Sequence, residues 1–147
     1  MKNILFVCTG NTCRSPMAEA ILKSYQIEGI SVKSAGVYAF PGDAASVNAK
    51  LVLEDNQISH DHSASPFSEK EVEWADYIFT MTEGHKQLIA SRYPKAIERT
   101  FTLKEFVLGD SYDRDVSDPY GGSKQMYERT FIELKQLISG LVEKIND

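Results

Sequence analysis

Residues 7–16 read Val7-Cys8-Thr9-Gly10-Asn11-Thr12-Cys13-Arg14-Ser15-Pro16. The apolar run Ile4-Leu5-Phe6-Val7 leads into this stretch. A short, continuous apolar run that ends at a glycine turn reads as a buried parallel strand. After the turn, Ser15 suits a helix N-cap and Pro16 a first helical position. Ala18, Ile21, Leu22 and Tyr25 then fall at i, i+3, i+4 and i+7, the spacing of one inward helical face. Strand, tight turn and helix in that order open an α/β fold.

The rest of the chain repeats the alternation. Ser31 to Gly36 reads as a second strand, and residues 44–55 as a helix with Ala44, Val47, Leu51 and Val52 turned inward. A loop through His60 to Phe67 leads to a short helix, Ser68 to Trp74. Tyr77 to Met81 is a third strand, followed by a helix around Gly84 to Ser91 that stops at Arg92-Tyr93-Pro94. Arg99 to Leu103 is a fourth strand, and residues 109–122 form a polar loop. In the last helix Tyr127, Phe131, Leu134, Ile138, Leu141 and Ile145 make one continuous apolar stripe. The expected architecture is a four-stranded parallel sheet flanked by helices, a three-layer sandwich with right-handed crossovers. Ligands of such sheets sit outside the carboxyl ends of the strands, which is where residues 8–15 fall.

The chain has 147 residues, 42% hydrophobic and 25% charged, which suits one domain over 1–147. Its net charge of -5 carries no basic cluster, so nucleic acid is not the expected partner. The first apolar run is too short for a signal peptide, and no stretch is long and apolar enough for a membrane span. Two cysteines five apart are no disulfide framework; they point to a reducing compartment, and a cytoplasmic monomer is expected.

The turn has the makings of an anion site. Free N–H groups and the dipole at a helix N-terminus attract negative charge. Gly10 permits a positive φ and Asn11 tolerates one, so successive amides can form a nest. Arg14 adds a planar fork that grips phosphate. Cys8 enters the same field, which favours a thiolate, and a thiolate in a phosphate cradle is placed to attack phosphorus. Ser15 is positioned to donate its hydroxyl to that sulfur. The plainer reading makes Cys8 a small buried hydrophobe with Arg14 on the surface. Cysteine, five residues, then Arg-Ser between strand and helix is a far narrower pattern than that role needs. A nucleotide P-loop is excluded, because no Gly-Lys-Ser/Thr follows the turn. A zinc site of the two cysteines alone lacks ligands.

The segment Cys8-Thr9-Gly10-Asn11-Thr12-Cys13-Arg14-Ser15-Pro16 resembles the phosphate loop of the low-molecular-weight protein tyrosine phosphatases. Ser34-Ala35-Gly36 and Asp118-Pro119-Tyr120 extend the likeness over nearly the whole chain. The resemblance implies a two-step phosphatase without metal or cofactor, acting on phosphorylated proteins. It implies Cys8 as nucleophile, Arg14 and the amides of residues 9–15 as the phosphate cradle, and Asp118 as general acid. On its residues alone, Asp118 is equally a turn former in Ser117-Asp118-Pro119-Tyr120-Gly121-Gly122. Asn11 is expected to pin the loop, and Tyr120 to wall the site. Cys13 is either packing or, as the resemblance suggests, a reversible disulfide partner that shields Cys8 from over-oxidation.

Thr12 departs from tyrosine-directed members, which often carry Ile or Leu there, and resembles the bacterial branch of protein arginine phosphatases. A hydroxyl beside Asp118 suits a guanidinium better than a phenyl ring. Gly121, where those members often have a second aromatic, widens the slot. The run Asp110, Asp113, Asp115, Asp118 favours a basic substrate, although such runs are usually solvated. Val37, Tyr38 and Phe40 are candidates for the opposite wall. Phosphoarginine is therefore expected ahead of phosphotyrosine. An arsenate reductase needs relay cysteines, and none follows Cys13; a non-catalytic phosphate-binding module would not need Cys8. His60-Asp61-His62 reads as a loop without a third metal ligand nearby, so no metal is expected. His85 is expected on the surface and Trp74 in packing. Tyr112, Tyr120 and Tyr127 are candidate phosphorylation sites, as in some relatives.

Overall fold

The computed structural model describes residues 2–109 and 113–146. Asp110 of the acidic run and Tyr112 lie outside them. Strand β1 (Lys2–Cys8) is the centre of the fold: Ile4, Leu5, Phe6 and Val7 have no solvent exposure. Helix α1 (Arg14–Ser24) follows, then β2 (Ile30–Gly36), α2 (Val47–Asp55) and α3 (Glu69–Trp74). Strand β3 (Tyr77–Thr80), helix α4 (Glu83–Arg92), a 3-10 turn (Pro94–Arg99), β4 (Thr100–Thr102), α5 (Leu103–Leu108) and α6 (Lys124–Asn146) complete the chain. The four strands are parallel in the order β2-β1-β3-β4. The expected α/β sandwich is the observed one.

The period-two alternation of a strand sorts the two layers. Ile4, Phe6 and Cys8 face one core with Met17, Ile21, Phe131, Leu134 and Ile138, beneath α1, α2 and α6. Leu5 and Val7 face the other with Val72, Ile78 and Ile89, beneath α3 and α4. The stripe on α6 is buried as its spacing predicts. The chain leaves β1 towards β2 on one side and returns through β3 on the other. The loops after β1 and β3 therefore diverge, and a crevice opens at their carboxyl ends.

Several local expectations are corrected. Helix α1 starts at Arg14 with Cys13 as its N-cap residue, so Ser15 is inside the helix and free for another task. Tyr25 lies just past α1 and is exposed. Helix α2 starts at Val47, capped by Ser46, and buries Ala49, Val52 and Leu53. Val47 and Leu51 face solvent, and Ala44 is exposed before the helix begins. The fourth strand ends at Thr102, which caps α5: Glu105 N donates to Thr102 Oγ1 and Thr102 N to Glu105 Oε2. That reciprocal pair is a capping box, written in the sequence as Thr-x-x-Glu. No helix among the described residues is long and apolar enough to cross a membrane.

The end of β2 has no room for a side chain. A Cβ on Gly36 would lie 2.5 Å from the Thr9 carbonyl oxygen and 2.8 Å from the Asn11 nitrogen. Both neighbours are backbone and cannot swing aside. Gly36→Ala is expected to destabilise the protein by about 1–3 kcal/mol, the usual cost of overpacking, and to depress phosphate binding along with it. Denaturant melts and phosphate titrations of the parent and the variant check this; unchanged phosphate affinity contradicts the contact.

Candidate active site

The turn between β1 and α1 is held by its carbonyls. Cys8 O accepts from Val37 N at 3.0 Å, Thr9 O from Tyr38 N at 2.9 Å, and Thr12 O from Ser46 N at 2.9 Å. The Asn11 carbonyl accepts from His62 Nε2 at 2.6 Å. In a planar trans peptide the N–H of the next residue points opposite to the C=O. Four carbonyls tied to groups outside the loop therefore turn the N–H groups of Thr9, Gly10, Thr12 and Cys13 towards its inside. This is a nest for an anion, adjoining the N-terminus of α1.

Asn11 makes the turn possible. It is fully buried with φ 57, and it carries the positive φ that the sequence assigned jointly to Gly10 and Asn11. Its Nδ2 donates to Ser15 Oγ at 2.8 Å and to Ser34 Oγ at 2.9 Å, while its Oδ1 accepts from Ser65 N at 2.9 Å. Ser15 Oγ lies 2.8 Å from Cys8 Sγ. Because that oxygen already accepts from Asn11, its hydrogen is available to the sulfur. Ser34 of the Ser-Ala-Gly segment thus serves the loop from β2.

The remaining site groups close over this nest. Arg14 is buried; its Nη1 donates to Val116 O at 3.1 Å and its Nη2 lies 3.5 Å from Asp118 Oδ2. Asp118 is half exposed, with Oδ1 accepting from Tyr120 N at 3.0 Å. Its turn role and its place beside Arg14 are both present. Val116 N donates to Met81 O at 2.8 Å, anchoring the late loop to the end of β3. A cavity of about 300 Å³ has Cys8, Thr9, Gly10, Thr12, Cys13 and Arg14 at its base. Tyr38, Phe40, Asp43, Asp118 and Tyr120 form its rim. Tyr38, Phe40 and Tyr120 are largely exposed, whereas Val37 is in the core. Asp43 was missed in the sequence, where nothing marks it.

Cys8 and Cys13 are both free and buried. Cys13 Sγ lies 3.2 Å from the Tyr127 hydroxyl, within reach of α6. Burial, then the contact with Cys13, pushes Tyr127 up to about 12. Asp113 and Asp115 are tie points of the late loop: Asp113 pairs with Lys104 at 3.0 Å, and Asp115 Oδ1 accepts from Glu83 N at 2.8 Å. Trp74 packs against the second core with Lys33 over its ring.

His85 is buried, against expectation, because Thr82 caps α4 and turns residue 85 inward. Its Nε2 lies 2.9 Å from Thr9 Oγ1. Burial, and secondarily the Arg14 charge, lower its pKa from 6.5 to about 4. The unfolded chain takes up this proton near pH 6.5 and the folded chain only near 4. The contribution is thus whole above pH 6.5 and is lost as pH falls to 4, by about 3 kcal/mol. Stability measured by urea melts should fall over that window in the parent and fall less steeply in His85→Asn; parallel curves contradict a buried neutral imidazole.

The sequence profile of the family described as low molecular weight phosphotyrosine protein phosphatase matches residues 3–147. A protein-arginine-phosphatase of Geobacillus stearothermophilus is 49% identical over 142 residues, covering 97% of this chain and 95% of that protein. The solved structure of YwlE arginine phosphatase from the same organism superposes with a TM-score of 0.96 at 48% identity, covering 99% of this chain and 94% of that one. A cysteine-to-serine mutant of YwlE arginine phosphatase with a phosphorylated active site serine superposes at 0.93, with 44% identity over 99% of this chain and 96% of that one. Fold, loop and these likenesses agree, and the chain belongs to the low molecular weight phosphotyrosine protein phosphatase family.

Proposed function

We propose that this chain is a cysteine-dependent protein phosphatase that hydrolyses phosphoarginine on proteins. The observation that carries the choice of substrate is the cavity above Cys8. Its base offers the Thr12 hydroxyl in place of a large apolar side chain, and its rim carries the carboxylates of Asp43 and Asp118. A guanidinium is cationic and planar and is served by acceptors at this depth. The exposed rings of Tyr38, Phe40 and Tyr120 offer faces on which it can stack. The relatives named as arginine phosphatases support the same reading.

In the proposed reaction the Cys8 thiolate attacks phosphorus in line, and the bond from phosphorus to the guanidino nitrogen breaks. Asp118 delivers the proton that the leaving nitrogen takes. The inward amides and Arg14 hold the equatorial oxygens, whose charge is greatest in the transition state. The product of this step is phosphocysteine and free arginine side chain. Water then attacks phosphorus, Asp118 takes its proton, and the sulfur leaves as thiolate with the Ser15 hydroxyl upon it. No step calls for a cofactor. The likeness to a mutant that carries phosphate on the residue replacing its cysteine supports a covalent intermediate. The proposed setting is one domain, residues 1–147, acting as a monomer on proteins rather than nucleic acid in a bacterial cytoplasm, where thiols stay reduced.

Phosphotyrosine is the second reading, favoured by the same three rings on the rim. One peptide carrying either phosphoarginine or phosphotyrosine separates the two. The parent is expected to show a kcat/KM at least about tenfold higher on phosphoarginine, and Thr12→Ile should shift that ratio towards phosphotyrosine. Cys8→Ser should abolish turnover, and Asp118→Asn should lower it by roughly 10²–10⁴-fold. A parent that prefers phosphotyrosine overturns the assignment.

A further inference from the structure

Away from the cavity above Cys8, two imidazoles and a carboxylate converge. His60 Nε2 lies 3.7 Å from Glu19 Oε1, and His62 Nδ1 lies 3.9 Å from the same oxygen. One donor atom from each of Glu19, His60 and His62 lies within 4.8 Å of the other two. The side chains are 7%, 4% and 9% exposed for His60, His62 and Glu19. The loop thought to lack a third ligand thus meets one from α1.

The hydrogen inventory leaves this cluster without a centre. His62 Nε2 bonds the Asn11 carbonyl, which can only accept, so Nε2 carries the hydrogen. Nδ1, the nitrogen that remains for a ligand, faces Glu19. His60 Nε2 is buried and has no hydrogen-bond partner. Neither nitrogen is within hydrogen-bond distance of the carboxylate oxygen. With Nε2 of His60 and Nδ1 of His62 unprotonated, three electron-pair donors face one another, and one metal cation satisfies all of them. An imidazole whose remote N–H is held by a backbone carbonyl is also the usual arrangement of a metal-binding histidine.

We propose that Glu19 Oε1, His60 Nε2 and His62 Nδ1 form a site for one divalent transition-metal ion of the zinc class, with water in the fourth position. Two imidazoles and one carboxylate are a zinc-type donor set, whereas calcium and magnesium take oxygen ligands. With one donor atom of each residue within 4.8 Å of the others, bonds of roughly 2.0–2.2 Å need only sub-ångström shifts. Glu19 Oε1 also accepts from Ser34 Oγ, and a carboxylate oxygen has a second lone pair for the ion. Lys23 pairs with the other oxygen, Oε2, and its half-exposed side chain is free to move towards solvent. A cavity of about 280 Å³ reaches Glu19 and His62 from the surface, with Asp61 and Glu71 as well as Lys33 and Lys70 in its lining. Through His62 the ion is joined to the Asn11 carbonyl, so the site is a brace for the phosphate loop.

Co2+ titrated into the full chain and followed by visible absorption tests this, with histidine side-chain 15N shifts read during a parallel Zn2+ titration. One equivalent of Co2+ should give four-coordinate bands without near-ultraviolet thiolate charge transfer. Zn2+ should shift His60 Nε2 and His62 Nδ1, while His62 Nε2 keeps its proton. His60→Ala should weaken binding by at least about tenfold. No saturable binding, affinity unchanged in His60→Ala, or a thiolate band that places the ion on Cys8 or Cys13 overturns the proposal. If His60→Ala does not fold, the 15N shifts of the parent decide alone.

Discussion

A single asparagine in a left-handed conformation organises the site. For a residue with a side chain that conformation costs roughly 1–2 kcal/mol. Asn11 offsets it with three side-chain hydrogen bonds in a fully buried setting, to Ser15, Ser34 and the Ser65 amide. Each buried polar group left unsatisfied there would cost about 1–3 kcal/mol. The balance thus favours the turned loop by more than the strain. The turn then does two things at once. It sets four amides inward, and it leaves the Ser15 hydroxyl with its oxygen occupied and its hydrogen directed at Cys8.

The sheet supplies what the loop cannot. Because β1 is central and its neighbours are reached in opposite directions, the loops after β1 and β3 part above its end. Residues 113–123 of the late loop border the opening. It is tied to β3 through Val116 and Met81, to α4 through Asp115, and to Arg14 through Val116 and Asp118. Arg14, the proposed phosphate-holding group, is thus also the link to Asp118. Its burial is possible because a carbonyl and a carboxylate share its charge.

The α/β order, the loop after β1 and the stripe on α6 were legible because each rests on local pattern: a run of apolar residues, a turn residue, a 3.6-residue period. What was not legible depended on tertiary partners. Ser15 reads both as a cap and as a donor to Cys8; the second reading holds, and the first does not because α1 already begins at Arg14. Residues 44–55 carry apolar side chains on more than one face, and only packing against α6 and α1 selects Ala49, Val52 and Leu53. His85 reads as a polar residue in a polar helix, and its burial comes from the position of α4 over Thr9. Glu19 reads as a surface charge on α1; β2 and the 60–62 loop cover it. The Thr-x-x-Glu signature of the Thr102-Glu105 capping box stands in the sequence, but the apolar run reads as strand through Leu103, which hides α5.

A loop of residues 9–13 that is a preformed cradle for a tetrahedral anion should take up inorganic phosphate without rearranging. Backbone amide shifts recorded while inorganic phosphate is titrated into the Cys8→Ser protein address it directly. The amides of Thr9, Gly10, Thr12 and Cys13 are expected to move together and saturate at one phosphate per chain. Saturable binding that leaves those four amides unmoved, or no binding at all, would contradict it.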